Sequence, residues 1–262
     1  MTWNLEMLPR IFFFLHHKPI IRAKLIPAHI IKENTDIVVI QEAFDPKADR
    51  ILKRRLKAAY PYIIGPVNRK PGFKSSSGVM IFSKYPLQTL ETIQYSECEG
   101  DDCWARKGAI LTEATIKGKK IQLAATHMQA GRIASIKLSQ YNQLSSMLKR
   151  HAQQNIPQII AGDFNTLQKD SFTYNSMINI IEAENGPFTG DIKYTSDGML
   201  NDMFGDYMKP GTEQDNIDYI LYKGNGALYK AIKRTVKRYT QRWSKTHIDL
   251  TDHQALIMDV VL

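Results

Sequence analysis

Pro157-Gln158-Ile159-Ile160-Ala161-Gly162-Asp163-Phe164-Asn165 is a short apolar run that ends on a carboxylate and an amide. A run of that length, β-branched at its centre and closed by turn residues, is the pattern of a buried strand. Strand ends and the loops leaving them are where an α/β scaffold holds functional groups. The same pattern recurs outward from this segment. Asp36-Ile-Val-Val-Ile40 runs into Gln41-Glu42, and Lys120-Ile-Gln-Leu-Ala-Ala-Thr126 runs into His127. Asp218 opens the strand-like Ile217-Asp-Tyr-Ile-Leu221, Asp252-His253 stand just before the closing run 254–262, and Asn4 sits early in Thr2-Trp3-Asn4-Leu5. Gly78-Val-Met-Ile-Phe82 is a further strand.

Between these runs the spacing turns helical. Ala48, Leu52 and Leu56 share one face, as do Ile133, Ile136, Gln140, Leu144 and Leu148. Residues 21–32 form a third helix, with Pro27 expected at its start or at a kink. Many strands with few helices, irregularly alternated, predict packed sheets with helices outside them rather than a doubly wound sheet. No Gly-, Ser- or Pro-rich linker divides the 262 residues, so one domain over 1–262 is expected.

The chain is 43% hydrophobic, which argues against disorder, and its net charge of +9 favours anionic partners: nucleic acid, a phosphorylated small molecule or a lipid head-group surface. The apolar run Ile11-Phe12-Phe13-Phe14-Leu15 is far short of the about 20 residues a membrane span needs. Residues 1–10 lack the pattern of a signal peptide, so the chain is read as cytoplasmic or as a secreted form without its leader. Two cysteines, Cys98 and Cys103, exclude a disulfide scaffold and a four-cysteine zinc site. They either close one small loop or remain free thiols.

Taken singly, an Asp or Asn after a strand is a turn or cap residue and a lone His a packing residue. Together, Asn4, Glu42, Asp163, Asn165 and Asp252 are the oxygen ligands that a hard divalent cation selects. His127 and His253 can add acid–base and charge-stabilising roles beside it.

Trp3-Asn4, Gln41-Glu42, Thr126-His127, Gly162-Asp163-Phe164-Asn165, Ile217-Asp218-Tyr219 and Thr251-Asp252-His253, in this order, resemble the endonuclease/exonuclease/phosphatase superfamily. Position 251 departs from the superfamily's Ser by keeping only the hydroxyl. The resemblance implies an α/β four-layer sandwich of the DNase I-like kind, two packed mixed β-sheets flanked by helices. It also implies Mg²⁺, with Mn²⁺ or Co²⁺ as substitutes, held by Glu42, Asn4 and Asp252. His253 is then the general base, Asp218 orients its ring, Asp163 places the water, Asn165 lies beside the phosphate, His127 donates to a phosphate oxygen, and Lys107 adds a phosphate contact.

Gln41-Glu-Ala-Phe-Asp45, the loop Cys98-Glu-Gly-Asp-Asp-Cys103 before Lys107-Gly108, and Thr126-His-Met-Gln-Ala130 are similar to the bacterial neutral sphingomyelinase branch. That branch implies hydrolysis of sphingomyelin to ceramide and phosphocholine at a membrane, by a secreted protein with no obligate protein partner. A nuclease or a phosphoinositide phosphatase of the same superfamily is the alternative, with nucleic acid as partner of the former. Phe12, Phe13 and Phe14 are expected either in a buried turn or as an apolar loop that meets lipid. Trp243, set among the cations of Lys237-Arg-Tyr-Thr-Gln-Arg-Trp-Ser-Lys245, is expected at a head-group interface.

Overall fold

The computed structural model describes residues 1–10, 17–204, 213–227 and 230–261. Phe12, Phe13 and Phe14 lie outside the described residues.

Two mixed sheets carry the chain. The larger is built from β1 (Thr2–Met7), β2 (Ile37–Ala43), β3 (Tyr62–Ile64), β4 (Met80–Ser83), β9 (Phe188–Thr189), β13 (Lys230–Lys237) and β14 (Ala255–Val261), in the order β3-β4-β2-β1-β14-β13-β9. The smaller is built from β5 (Gln88–Gln94), β6 (Gly108–Ile116), β7 (Lys119–His127), β8 (Gln158–Asp163) and β12 (Asp218–Lys223), in the order β12-β8-β7-β6-β5. A small ribbon pairs β10 (Ser196–Asp197) with β11 (Gln214–Asp215). β1 is buried along its whole length, as expected of a strand covered on both faces.

Four helices cover the outer faces. α1 (Pro19–Glu33) and α2 (Pro46–Leu56) bury Ile26, Ile30 and Leu52 against Leu5, Val38 and Phe82 of the larger sheet. α3 (Ala134–His151) and α4 (Ser171–Ile181) bury Tyr141, Leu144 and Met177 against Leu111, Ala124 and Ile160 of the smaller one. Between the sheets lie Val39, Ile81, Ile110, Leu123, Ile220 and Leu256. The result is the expected four-layer sandwich.

Local chemistry sets the helix ends. Pro19 and Pro46 occupy first-turn positions, where their missing N–H costs nothing. The Asp45 carboxylate accepts from the N–H groups of Lys47 and Ala48 and starts α2. Pro27 lies inside α1 and does not begin it; Pro19 does. Cys98 and Cys103 are joined in a disulfide, which resolves the two readings of that pair. No helix of the described residues is long and apolar enough to cross a membrane.

Candidate active site

Strand register brings most of the expected residues together before any side chain is considered. His127 is the Cα partner of Asp163 across β7 and β8, and Asp163 is the partner of Asp218 across β8 and β12. In the other sheet Asn4 faces Gln41, one residue ahead of Glu42. The two sheets present these strand ends to one another at one edge of the sandwich.

Tight approaches make that arrangement fit. Gly78 has φ +72°, and a Cβ there would sit 2.8 Å from the Phe44 ring and 2.9 Å from the Glu42 Cα. Gly162 lies against Thr126, whose carbonyl oxygen would be 2.1 Å from an added Cβ. Glu42 and Asn165 themselves hold positive φ, 57° and 49°, a conformation that side-chain-bearing residues adopt mainly where their surroundings enforce it.

The Asn4 Nδ2 donates to Glu42 Oε1 and to Asp163 Oδ2, both at 3.0 Å. His127 Nε2 lies 3.8 Å from Glu42 Oε1 and 3.7 Å from Asp163 Oδ2. Ligand atoms of Glu42, His127 and Asp163 fall within 4.8 Å of one another, as do those of Asp163, Asp218 and His253. Burial, and then the charge of Asp252, push the Glu42 carboxyl up to about 7, so its carboxylate is short of positive charge. The half-buried Glu42 and the buried Asp163 carboxylates converging here are oxygen donors that a hard divalent cation fits.

The Asn4 amide oxygen accepts from the Glu6 N–H at 3.0 Å, which turns the nitrogen, not the oxygen, toward the carboxylates. In this arrangement Asn4 clamps the acids. Asp252 stands outside both three-residue groups but close enough to act on Glu42 by its charge.

His253 Nδ1 is 2.9 Å from Asp218 Oδ2. Burial alone would lower its pKa, but Asp218, Asp252 and Asp163 outweigh burial and hold it well above the ordinary histidine value. His127 moves the other way: burial, then the charges of Lys107 and His253, hold it well below. The same site thus shifts its two histidines in opposite directions. Lys107 is near the site, but its ammonium is already engaged, with Met128 O at 2.9 Å and Asp102 Oδ1 at 2.8 Å. Asn165 Nδ2 donates to Met128 O at 3.1 Å, and its backbone N–H donates to Asp163 Oδ1.

Trp243 is corrected outright. It is 7% exposed, stacks on His247 at 4.8 Å and sits beside the buried Arg22 under α1. Neighbouring Arg238 makes a two-pronged pair with Asp249 at 2.7 and 2.8 Å, so Trp243 and Arg238 turn to partners within the protein while Arg242 and Lys245 stay exposed.

Two positioning residues escaped the sequence. Lys137, buried in α3, donates to the carbonyls of Gln129, Phe164 and Asn165, tying together the loops that follow His127 and Asp163. Its spacing from Gln140, Tyr141 and Leu144 marks the inner face, but a lysine in a helix reads as a solvated charge. Thr195 Oγ1 accepts from the N–H groups of Ile217 and Asp218, and its carbonyl accepts from Gln254 N–H, joining the backbone at Asp218 to the backbone just after His253. Nothing in the sequence marks it.

A family model described as Endonuclease/Exonuclease/phosphatase family matches residues 1–238. Sphingomyelinase C 2 of Leptospira interrogans serogroup Icterohaemorrhagiae serovar Lai (strain 56601) is 32% identical over 223 residues, 76% of this chain and 35% of that protein. Phospholipase C of Staphylococcus aureus is 30% identical over 224 residues, 76% of this chain and 66% of that one. The chain therefore spans about a third of the Leptospira relative's length and about two thirds of the staphylococcal one's. A solved beta toxin of Staphylococcus aureus, a substituted form with bound magnesium ions, superposes with a TM-score of 0.83 at 22% identity, covering 98% of this chain and 97% of its own. That likeness is one of fold, and it is the fold already described, with its polar strand ends at one edge. With a match that runs from the first strand through β13, the chain belongs to the endonuclease/exonuclease/phosphatase family.

Proposed function

We propose that the chain acts as one catalytic domain over residues 1–262, a Mg²⁺-dependent phosphodiesterase that hydrolyses sphingomyelin to ceramide and phosphocholine at a membrane surface. The observation that supports the chemistry is the convergence of Glu42, His127 and Asp163 beside the His253–Asp218 pair. The substrate is supported by the relatives, a sphingomyelinase C and a phospholipase C at 32% and 30% identity. Magnesium is supported by the ions in the beta toxin structure; a secreted location is part of the same proposal.

In this reading Glu42 and Asp163 hold the cation, and Asn4 keeps their carboxylates in place. When bound, the cation withdraws charge from phosphorus and stabilises the departing alkoxide. His253, anchored at Nδ1 by Asp218, takes the proton of the attacking water at Nε2 in its neutral form, a form that a divalent charge held beside the same carboxylates would favour. His127, kept neutral by burial, turns its Nε2–H to a phosphate oxygen. Asn165 directs its remaining amide N–H to the same group.

Phosphocholine release from sphingomyelin vesicles tests this directly. Release is expected with Mg²⁺ and not with EDTA. Both Glu42→Gln and His253→Ala should lower turnover by about a hundredfold or more. Cleavage of DNA in place of sphingomyelin would replace this substrate with the nuclease reading. Unchanged turnover in His253→Ala would remove that residue from the base role.

A further inference from the structure

Phe73 and Trp104 are the most exposed aromatic side chains among the described residues, Phe73 fully and Trp104 at 66%. They stand on two loops that are stitched side by side. Ser75 and Ala105 form a bridge, Ser75 N–H donates to Trp104 O at 2.8 Å, and the Arg106 guanidinium donates to the carbonyls of Lys70, Lys74 and Ser75. The disulfide Cys98–Cys103 closes the loop just ahead of Trp104. Two rings displayed on a pinned platform are ordered for contact at little further entropic cost.

Both loops run straight into the site. Five residues beyond Phe73 lies Gly78, packed on Glu42, and three beyond Trp104 lies Lys107, whose charge acts on Glu42 and His127. Each loop is therefore continuous with a segment packed on the site.

The charges around them come in two sets. Exposed Arg69, Lys70 and Lys74 flank Phe73, Arg69 being paired with Asp49 at 3.5 Å, and exposed Glu97, Glu99 and Asp101 flank the disulfide loop on the side of Trp104; Asp102 is paired with Lys107. A surface of one sign would attract only half of this pattern. A phosphocholine head-group layer, with phosphate for the cations and trimethylammonium for the acids and rings, complements both halves.

We propose that Phe73 and Trp104 form the surface by which this protein docks on a phosphocholine bilayer, with the two rings at the head-group boundary. The proposal rests on the lipid reading above for its purpose, but its test does not need catalysis. Trp3 and Trp243 are buried, so among the three tryptophans only Trp104 is placed to report a change of solvent.

The experiment uses the full chain with phosphatidylcholine vesicles bearing brominated tails, read by sedimentation and tryptophan emission. Trp104 emission should shift to the blue and be quenched on binding. Phe73→Ala should weaken partitioning about tenfold, from the lost apolar burial of one ring. The double variant Phe73→Ala with Trp104→Ala should fall to background, while its hydrolysis of water-soluble p-nitrophenyl phosphocholine stays within about twofold of the parent, since neither ring touches the site. Unshifted emission, or double-variant binding equal to the parent, overturns the proposal and moves docking elsewhere on the molecule. Intact vesicle binding with no hydrolysis of either substrate would instead overturn the functional reading and leave the docking surface standing.

Discussion

His253 is where burial and charge pull hardest against each other. Burial disfavours its cation, and three carboxylates favour it strongly enough to prevail. A histidine whose folded pKa lies above its unfolded value adds stability that is fully present below the unfolded value and is lost as pH rises through the folded one. Asp218→Asn removes the anion in contact with the ring, so NMR titration of the metal-free variant should place the His253 pKa lower than in the parent. The same substitution should lower turnover, because the ring loses the partner that fixes its orientation. An unchanged titration would mean that Asp252 and Asp163 alone hold the proton. Glu42 is the opposite kind of residue: burial raises its carboxyl to about 7, and its positive φ adds backbone strain. Both costs are concentrated on one side chain, which is where a functional demand would be expected to show.

At the level of elements, α2 is a test of what one side chain does for a helix. Burial would raise the Asp45 carboxyl, but the N–H groups of Ala48 and Lys47 and the Arg10 guanidinium hold it below its ordinary value of 3.8. Its stabilising contribution is therefore present above the unfolded value and lost as pH falls through the folded one. Asp45→Ala should cost about 1 kcal/mol in denaturant melts at neutral pH, the usual loss for an N-cap. That cost should shrink as the melts are taken into acid. Much of the fold was legible at this scale, because buried strands ending in polar residues leave an unambiguous trace, as β2 before Glu42 and β8 before Asp163 show. Trp243 was not legible: an aromatic among cations has the same sequence whether the ring faces lipid or the underside of α1. The fork of Arg238 on Asp249 decides the matter, and it joins positions that no local pattern links. Lys137 failed for the converse reason, a charge on the apolar face whose partners are all backbone carbonyls.

Across the whole molecule the site belongs to neither sheet alone. Asn4 and Glu42 come from the larger sheet, His127, Asp163 and Asp218 from the smaller, and Asn4 bridges them by hydrogen bonds of 3.0 Å. A cation held by Glu42 and Asp163 would cross-link the two layers and relieve the repulsion between their carboxylates. Mg²⁺ at about a hundredfold excess over its dissociation constant should add about 2.7 kcal/mol of stability, a rise of roughly 5 °C or more in the melting temperature. Calorimetry with Mg²⁺ and with EDTA checks this, and Glu42→Gln should abolish the rise. The position of β14 carries a last consequence. It lies inside the larger sheet, flanked by β1 and β13, with His253 just ahead of it and the Trp3 indole donating to the His253 carbonyl at 3.0 Å. During synthesis the groove for this strand must stay open until the ribosome delivers residues more than two hundred positions downstream of its first wall. Chains cut short ahead of residue 253 lack both that imidazole and the strand between β1 and β13, so the larger sheet stays split and the contact of His253 with Asp218 cannot form.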